Sequence, residues 1–369
     1  MSMRRSLIII LFLSLLVAQA RAQSGQQVAP SVVAGGGGSS SQGQYTLAGT
    51  VGQPIAGLTS SQGSYAVASG FWKAAQIDQP AQGDFDGDGR ADFAVYRPFA
   101  DNANYSKWYV LLVPSDGVIE QQFGSPADLI VPGDYDGNRT TDIAVFRPDD
   151  DGAGHSAWYI WRAPQNFIRR PWGLSGDIPV PGDYDRDGKT DLAVFRGNDP
   201  VPGQATWYIE RSSDGALVVQ RWGFNTDKPV PADYDGDDKT DVAVYRDGYW
   251  HVLRSTTNTL LTLQWGLSTD KPVPADYDGD NKTDFAVWRP STGIWYIQHS
   301  SDQTFGAQQW GASTDLPAPA DYDGDGKADV AVFQSTTGDW LILKSWDNQL
   351  FGLHWGQTGD LPGSGTYIP

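Results

Sequence analysis

Residues 183 to 191 read DYDRDGKTD, with aspartate at places one, three, five and nine and a glycine at place six. Four carboxylates crowded into one tight turn repel each other unless something positive sits among them. Oxygen donors at this density suit a hard cation that takes six to eight oxygens, which is the habit of calcium. The same nonapeptide begins at Asp84, Asp134, Asp183, Asp233, Asp276 and Asp321, at spacings of 50, 49, 50, 43 and 45 residues. The candidate metal ligands are therefore Asp84, Asp86, Asp88 and Asp92; Asp134, Asp136, Asn138 and Asp142; Asp183, Asp185, Asp187 and Asp191; Asp233, Asp235, Asp237 and Asp241; Asp276, Asp278, Asp280 and Asp284; and Asp321, Asp323, Asp325 and Asp329. A backbone carbonyl from place seven would join each set. An EF-hand would need a bidentate Glu at place twelve. Valine stands there in every copy, at Val95, Val145, Val194, Val244, Val287 and Val332, so the loop opens into a strand. Asp and Gly are ordinary turn formers, but solvated turns alone do not account for six copies in fixed register.

Place six asks for a sharp turn through the left-handed backbone region. Gly89, Gly188 and Gly326 adopt it freely, and Asp238 and Asn281 tolerate it better than most residues. Arg139 does neither, and its neighbour Asn138 removes a carboxylate. The second loop is expected to be the weakest of the six.

The loops sit inside longer repeats. Each copy carries a PVPADYD-like lead, the nonapeptide, an "hAVhR" run (h apolar or aromatic), then WYI, WG and STD. The runs are short, β-branched or aromatic and punctuated by Gly, Pro, Asp and Ser, which reads as strands. LAVFR at 192–196, TWYIER at 206–211, LVVQRWG at 217–223 and KPVPADYD at 228–235 give four strands per unit. Four strands every 43 to 50 residues is the arithmetic of an all-β propeller in which each unit is one blade. A solenoid is the less favoured alternative.

The motif D-x-D-x-D-G-x-x-D matches DFDGDGRAD, DYDRDGKTD and DYDGDGKAD, and more loosely DYDGDDKTD, DYDGDNKTD and DYDGNRTTD. In this the chain resembles FG-GAP or VCBS-type calcium-binding repeats, whose blades form the propeller at the head of integrin alpha chains. The resemblance covers residues 80 to 369. It implies the propeller fold and calcium, and no single function.

The ends of the chain are different. MSMRRSLIIILFLSLLVAQARAQ has a basic start, an apolar run and a small-x-small site at Ala20-Arg21-Ala22, the pattern of a secretory signal peptide over residues 1–22. A Gly/Ser-rich linker over 23–43 and a β-hairpin segment over 44–77 precede the propeller at 78–369. The last repeat runs on into DLPGSGTYIP, a spare inner strand without a calcium loop. Paired with Tyr45–Val51 and Ser64–Trp72 it would close a seventh blade; paired with the first repeat it would close six. The expectation leans to seven.

The chain has 42 Asp against two Glu, Glu120 and Glu210, and a net charge of −18. That balance excludes nucleic acid as a partner, because phosphates demand Lys and Arg. Loss of Arg4, Arg5 and Arg21 with the signal would take the charge to −21, and six divalent ions would return it to −9. With no cysteine, an exported protein has no disulfide to hold it, and about six structural calcium ions are the expected staple. No second apolar stretch approaches a membrane span.

Nothing in the sequence marks an enzyme. His155, His251, His299 and His354 fall at unrelated places in the repeats, and no nucleophile elbow or zinc pair is present. Trp108, Trp158, Trp207, Trp250, Trp295 and Trp340 recur on one strand, and Trp172, Trp222, Trp265, Trp310 and Trp355 on another, as packing residues would. Trp72, Trp161 and Trp346 break the pattern. The repeated Arg97, Arg147, Arg196, Arg246 and Arg289 read as structural ion-pair partners. Between the hAVhR run and the next Trp, the first three repeats have ten residues, the fourth three and the last two five. Insertions on neighbouring blades of one face are a binding-surface signal, with Asn102, Tyr105, Asp150, His155, Trp161 and Asn198 as candidate contacts. The sequence thus reads as a secreted extracellular binding or adhesion module for a protein or glycan. A lectin-like propeller is the alternative, and a hydrolase or lyase a more distant one.

Overall fold

The computed structural model describes residues 40–42, 45–47, 59–61, 64–66, 82–100, 105–162 and 166–364. The signal peptide, Trp72 and Asn102 lie outside them. The chain divides into two compact units, Met1–Ile77 and Asp78–Pro369. In the first, Ser40–Gln42 pairs with Tyr45–Leu47 and Thr59–Ser61 pairs with Ser64–Ala66, each an antiparallel two-stranded sheet. Ser40–Gln42 falls in the stretch expected to be linker, because its backbone finds a partner across a two-residue connection.

The second unit is a six-blade β-propeller of four-stranded antiparallel sheets. Blade three is typical, with strands Ile178–Pro179, Leu192–Gly197, Gln204–Glu210 and Leu217–Phe224 from the inside outwards. Residue pattern explains each strand. The second is the hAVhR run, buried on both faces, so it shows no alternation. The third alternates, with Trp108, Trp158, Trp207, Trp250, Trp295 and Trp340 all fully buried. The fourth is a solvent-facing edge. The first is shorter than the run KPVPADYD suggests. Only Lys228–Pro229 pairs regularly, followed by the isolated bridge Ala232↔Asp241, because proline donates nothing to a ladder.

The expectation of seven blades is corrected. Leu361–Pro362 pairs with Phe93–Arg97, with Leu361 opposite Tyr96 and Pro362 opposite Val95. Ser364 Oγ accepts from Ala94 N at 2.8 Å, Gly363 N donates to Ala94 O at 2.7 Å, and Asp360 takes Arg97 in a bidentate ion pair. The inner edge of the first repeat is thereby used, and no edge is left for another blade. Among the described residues the N-terminal strands form two separate two-stranded sheets. The last core cluster spans the seam, with Phe93 stacked on Tyr322 at 5.1 Å and Trp355 Nε1 donating to Tyr109 O at 3.3 Å.

The repeated arginines are all ion-paired to a buried aspartate of the STD-type turn, as in Arg196–Asp177 and Arg289–Asp270. Most also lie over a ring of the same blade, as Arg196 does over Tyr208 at 4.5 Å. Blade six departs from this. Gln334 stands in the arginine's place and reaches the buried Asp315 carboxylate only at 3.5 Å, and Leu341 stands in the place of the ring. Gln334→Arg with Leu341→Tyr is expected to stabilise the propeller by about 1–3 kcal/mol, the worth of a hydrogen-bonded charge pair. Urea unfolding measures it, and an unchanged or lower midpoint would show that the blade has adapted to glutamine.

Candidate metal centre

Each nonapeptide joins the first and second strands of a blade, so six acidic loops ring one face. In loop three, Asp183 accepts Arg186 N at 2.6 Å and Gly188 N at 2.9 Å, which folds the loop around the carboxylate of place one. Asp191, at place nine, accepts Tyr184 N at 2.9 Å from within the loop and Ser212 N at 2.6 Å from the turn after the third strand. Asp187, at place five, accepts Lys189 N and the Ser212 hydroxyl, both at 2.9 Å. The same pattern of backbone amides on places one and nine recurs round the ring.

In the first four loops the carboxylates of places one, three and nine converge. Asp84, Asp86 and Asp92, Asp134, Asp136 and Asp142, Asp183, Asp185 and Asp191, and Asp233, Asp235 and Asp241 each bring oxygens within 4.8 Å of one another. Place five stands outside the four groupings named. Asp88, Asn138, Asp187, Asp237, Asp280 and Asp325 each accept the amide of place seven. Loop five adds a donor that sequence reasoning passed over, for His299 Nδ1 lies 3.7 Å from Asp278 and 3.4 Å from Asp284. The imidazole comes from the third-strand end, far from the motif in sequence.

A second element was also missed, although its signal was present in the repeats. Ser212, Ser255, Ser300 and Ser345 each donate a hydroxyl to place five and a backbone amide to place nine. This serine turn locks the loop to the sheet in blades three to six. Blade one has Val113 there and offers only its amide, to Asp92 at 2.9 Å.

Two observations fit a bound cation. Asp185 Oδ1 and Asp235 Oδ1 are buried with no hydrogen-bond partner among the described residues, and an orphaned buried carboxylate oxygen is costly. Burial also opposes charge at place nine. It pushes Asp92, Asp142 and Asp329 up to about 7 and Asp191 and Asp241 up to about 6, against the opposing pull of the amides they accept. Asp276, at place one, rises to about 6 for the same reason. Such groups are poised for a positive ion to share them.

The loops also bind one another. The amide of place eight donates to the carbonyl of place one in the preceding loop, as Thr141 N does to Asp84 O at 2.6 Å and Thr190 N to Asp134 O at 2.6 Å. Ala91 N to Asp321 O at 2.7 Å closes this belt.

The left-handed turn at place six holds in all six loops, with Arg139 at φ 69°, Asp238 at 63° and Asn281 at 66° beside the glycines. Place four is left-handed too. Glycine serves there in five loops, but in loop three Arg186 takes φ 66°.

The long loops are tied down at the opposite ends of the second and third strands. Ser106, Ser156 and Thr206 donate hydroxyls back to Pro98 O, Pro148 O and Asp199 O. Asp150 accepts Tyr159 OH and pairs with Arg169, His155 meets Asp151, and Asn198 accepts Gly203 N. Tyr105 is half-buried at the base of the first loop, and Trp161 lies apart from these residues, at the end of its strand nearest the acidic loop.

Comparison with known proteins agrees with the repeats. The FG-GAP repeat model matches residues 78–109, and the FG-GAP-like repeat model matches residues 276–332. The chain is an FG-GAP-type repeat protein folded as a six-blade β-propeller. No curated protein matches it. Among solved structures it is similar to an Agrocybe aegerita lectin that recognises non-reducing terminal N-acetylglucosamine, at 14% identity and a TM-score of 0.44 over 75% of this chain and 91% of that one. It is also similar to a Bacteroides caccae protein of unknown function, at 9% identity and a TM-score of 0.39 over 75% and 97%. A functionally unknown Desulfotomaculum acetoxidans protein gives 10% and 0.40 over 71% and 79%. Among the described residues no helix is long and apolar enough to cross a membrane.

Proposed function

We propose that the six loops hold calcium and that the protein is a secreted, calcium-stapled binding module of the extracellular space, not an enzyme. The convergence of three carboxylates in each of four loops, with an orphaned buried oxygen in loops three and four, carries this reading. Calcium would supply the charge that these oxygens lack. The chain's own residues do the rest: places one and nine are pre-oriented by backbone amides, and the serine turn keeps place five aimed at the loop. Ligands so committed to folding their own turns leave a structural ion rather than a catalytic one. The long loops of blades one to three, on the opposite face, form the surface for a partner protein.

Calorimetric titration of metal-free protein is expected to count about six calcium ions per chain, with magnesium substituting poorly because it demands a rigid octahedron. A count of one or none would overturn the reading. Replacing residues 98–107, 148–157 and 197–206 by short turns such as Asp247–Tyr249 is expected to keep the calcium count and remove partner binding.

A further inference from the structure

We infer a binding site for a neutral saccharide in a groove between blades one and two. The groove exists because one repeat position changes. In blades three to six the fourth strand leads into a tryptophan whose indole donates across the junction to the third strand of the next blade, whereas the indole of Trp172 in blade two is buried without a partner among the described residues. Trp222 donates to His251 O at 3.2 Å, Trp265 to Tyr296 O at 3.1 Å and Trp310 to Leu341 O at 2.9 Å. In blade one this residue is Phe123, which is smaller and donates nothing. The space it vacates is lined by Gln121, Gln122, Phe123, Tyr159, Trp161 and Phe167, with a volume of about 430 Å³. At the junction of blades three and four, where Trp222, His251 and Leu260 hold the matching places, about 150 Å³ remains. The larger volume lies within the range of small-molecule sites.

The lining selects the ligand. Tyr159 and Phe167 stack at 6.3 Å and Phe123 meets Phe167 edge-on at 6.3 Å, giving fixed aromatic walls. Tyr159 is itself immobilised, its ring under Arg147 and its hydroxyl on Asp150. Phe167 is 60% exposed, an unusual place for a large ring unless something covers it. The Trp161 indole N–H and the Gln122 side-chain amide make no hydrogen bond to any described residue. Among the described residues no ionised side chain lines the groove, in a chain of net charge −18, so a charged ligand finds no counterion in that lining. Flat apolar faces bordered by neutral donors and acceptors match a pyranose ring, which offers C–H groups on its faces and hydroxyls at its rim. Trp161 was singled out by sequence as an indole outside the repeat pattern. Its partners come from three different strands and could not be.

This inference needs the propeller fold but not the calcium reading, and the test separates the two. Calcium-saturated protein is applied to an array of immobilised neutral and acidic oligosaccharides and to an array of apolar and proline-rich peptides, and the best-bound saccharide is then titrated calorimetrically. Binding to neutral saccharides is expected. Trp161→Ala should weaken it at least tenfold. Phe123→Trp, which restores the repeat, should fill the groove and weaken binding equally while leaving the melting temperature and calcium count unchanged. Because that variant adds a packing residue, it keeps the test meaningful if Trp161→Ala fails to fold. Absence of saccharide binding, binding confined to acidic saccharides or to peptides, or full binding by Phe123→Trp would each overturn the proposal.

Discussion

Metal-free protein is expected to melt at a lower temperature at pH 8 than at pH 5, and calcium is expected to reverse that order. The sign follows from place nine. Burial raises Asp92, Asp142 and Asp329 to about 7 and Asp191 and Asp241 to about 6, from an ordinary value of 3.8. A carboxyl whose folded value is raised contributes stability that is fully present below the unfolded value and is lost as pH rises through the folded one. The window is therefore about pH 4 to 7, and these carboxyls all act in the same direction across it. Calcium needs the ionised form, so its stabilisation grows over the same window, by about 2.7 kcal/mol per independent site at 100 times the dissociation constant. The gap between calcium-loaded and dialysed protein should widen from a few degrees at pH 5 to many at pH 8. Calorimetric melts on dialysed protein, without chelator, measure it. A gap that stays constant or shrinks with rising pH would sink the account.

What the sequence disclosed and what it hid follow from the range of the interactions involved. Strand order and the acidic loops are local properties, set by residues within nine or ten places of each other, and the repeat displayed them six times. Leu192 to Gly197 reads as a buried strand from its own composition. Ring closure is not local. Whether Leu361 pairs with Tyr96 or with an N-terminal strand depends on which edge is free after all the other blades are placed. The serine turn was legible in principle, since Ser212, Ser255, Ser300 and Ser345 recur, but serine in a turn is so common that its aim at place five shows only in three dimensions. His299 is a single departure from the repeat, and without distances it looked like any surface histidine. Phe123 is the mirror case, a departure that matters because the five other blades have tryptophan.

The second loop is expected to release its ion first, with the third loop next. Two causes act on loop two. Arg139 occupies the left-handed turn of place six at φ 69°, where a residue with a Cβ is strained by about 1–2 kcal/mol relative to glycine. Asn138 replaces a carboxylate at place five, and besides the place-seven amide that every loop's place five accepts, here at 2.7 Å, its oxygen also takes the Thr140 hydroxyl at 2.5 Å. Loop three carries only the first kind of fault. Arg186 sits left-handed at place four, but its guanidinium pairs with Asp238 of loop four at 2.6 Å, which offsets part of the strain. Arg139→Gly with Asn138→Asp should therefore tighten the weakest site about tenfold or more, whereas Arg186→Gly should gain less because it also breaks a link between loops. The belt of amides makes the consequence wider than one site. Loop two accepts from Thr190 of loop three and donates through Thr141 to loop one, so its emptying loosens the anchors of both neighbours. Titration of the double variant should show the lowest-affinity phase shifted and the whole curve steeper. A weakest phase no tighter than the parent's would mean that backbone strain and the missing carboxylate are not what ranks these sites.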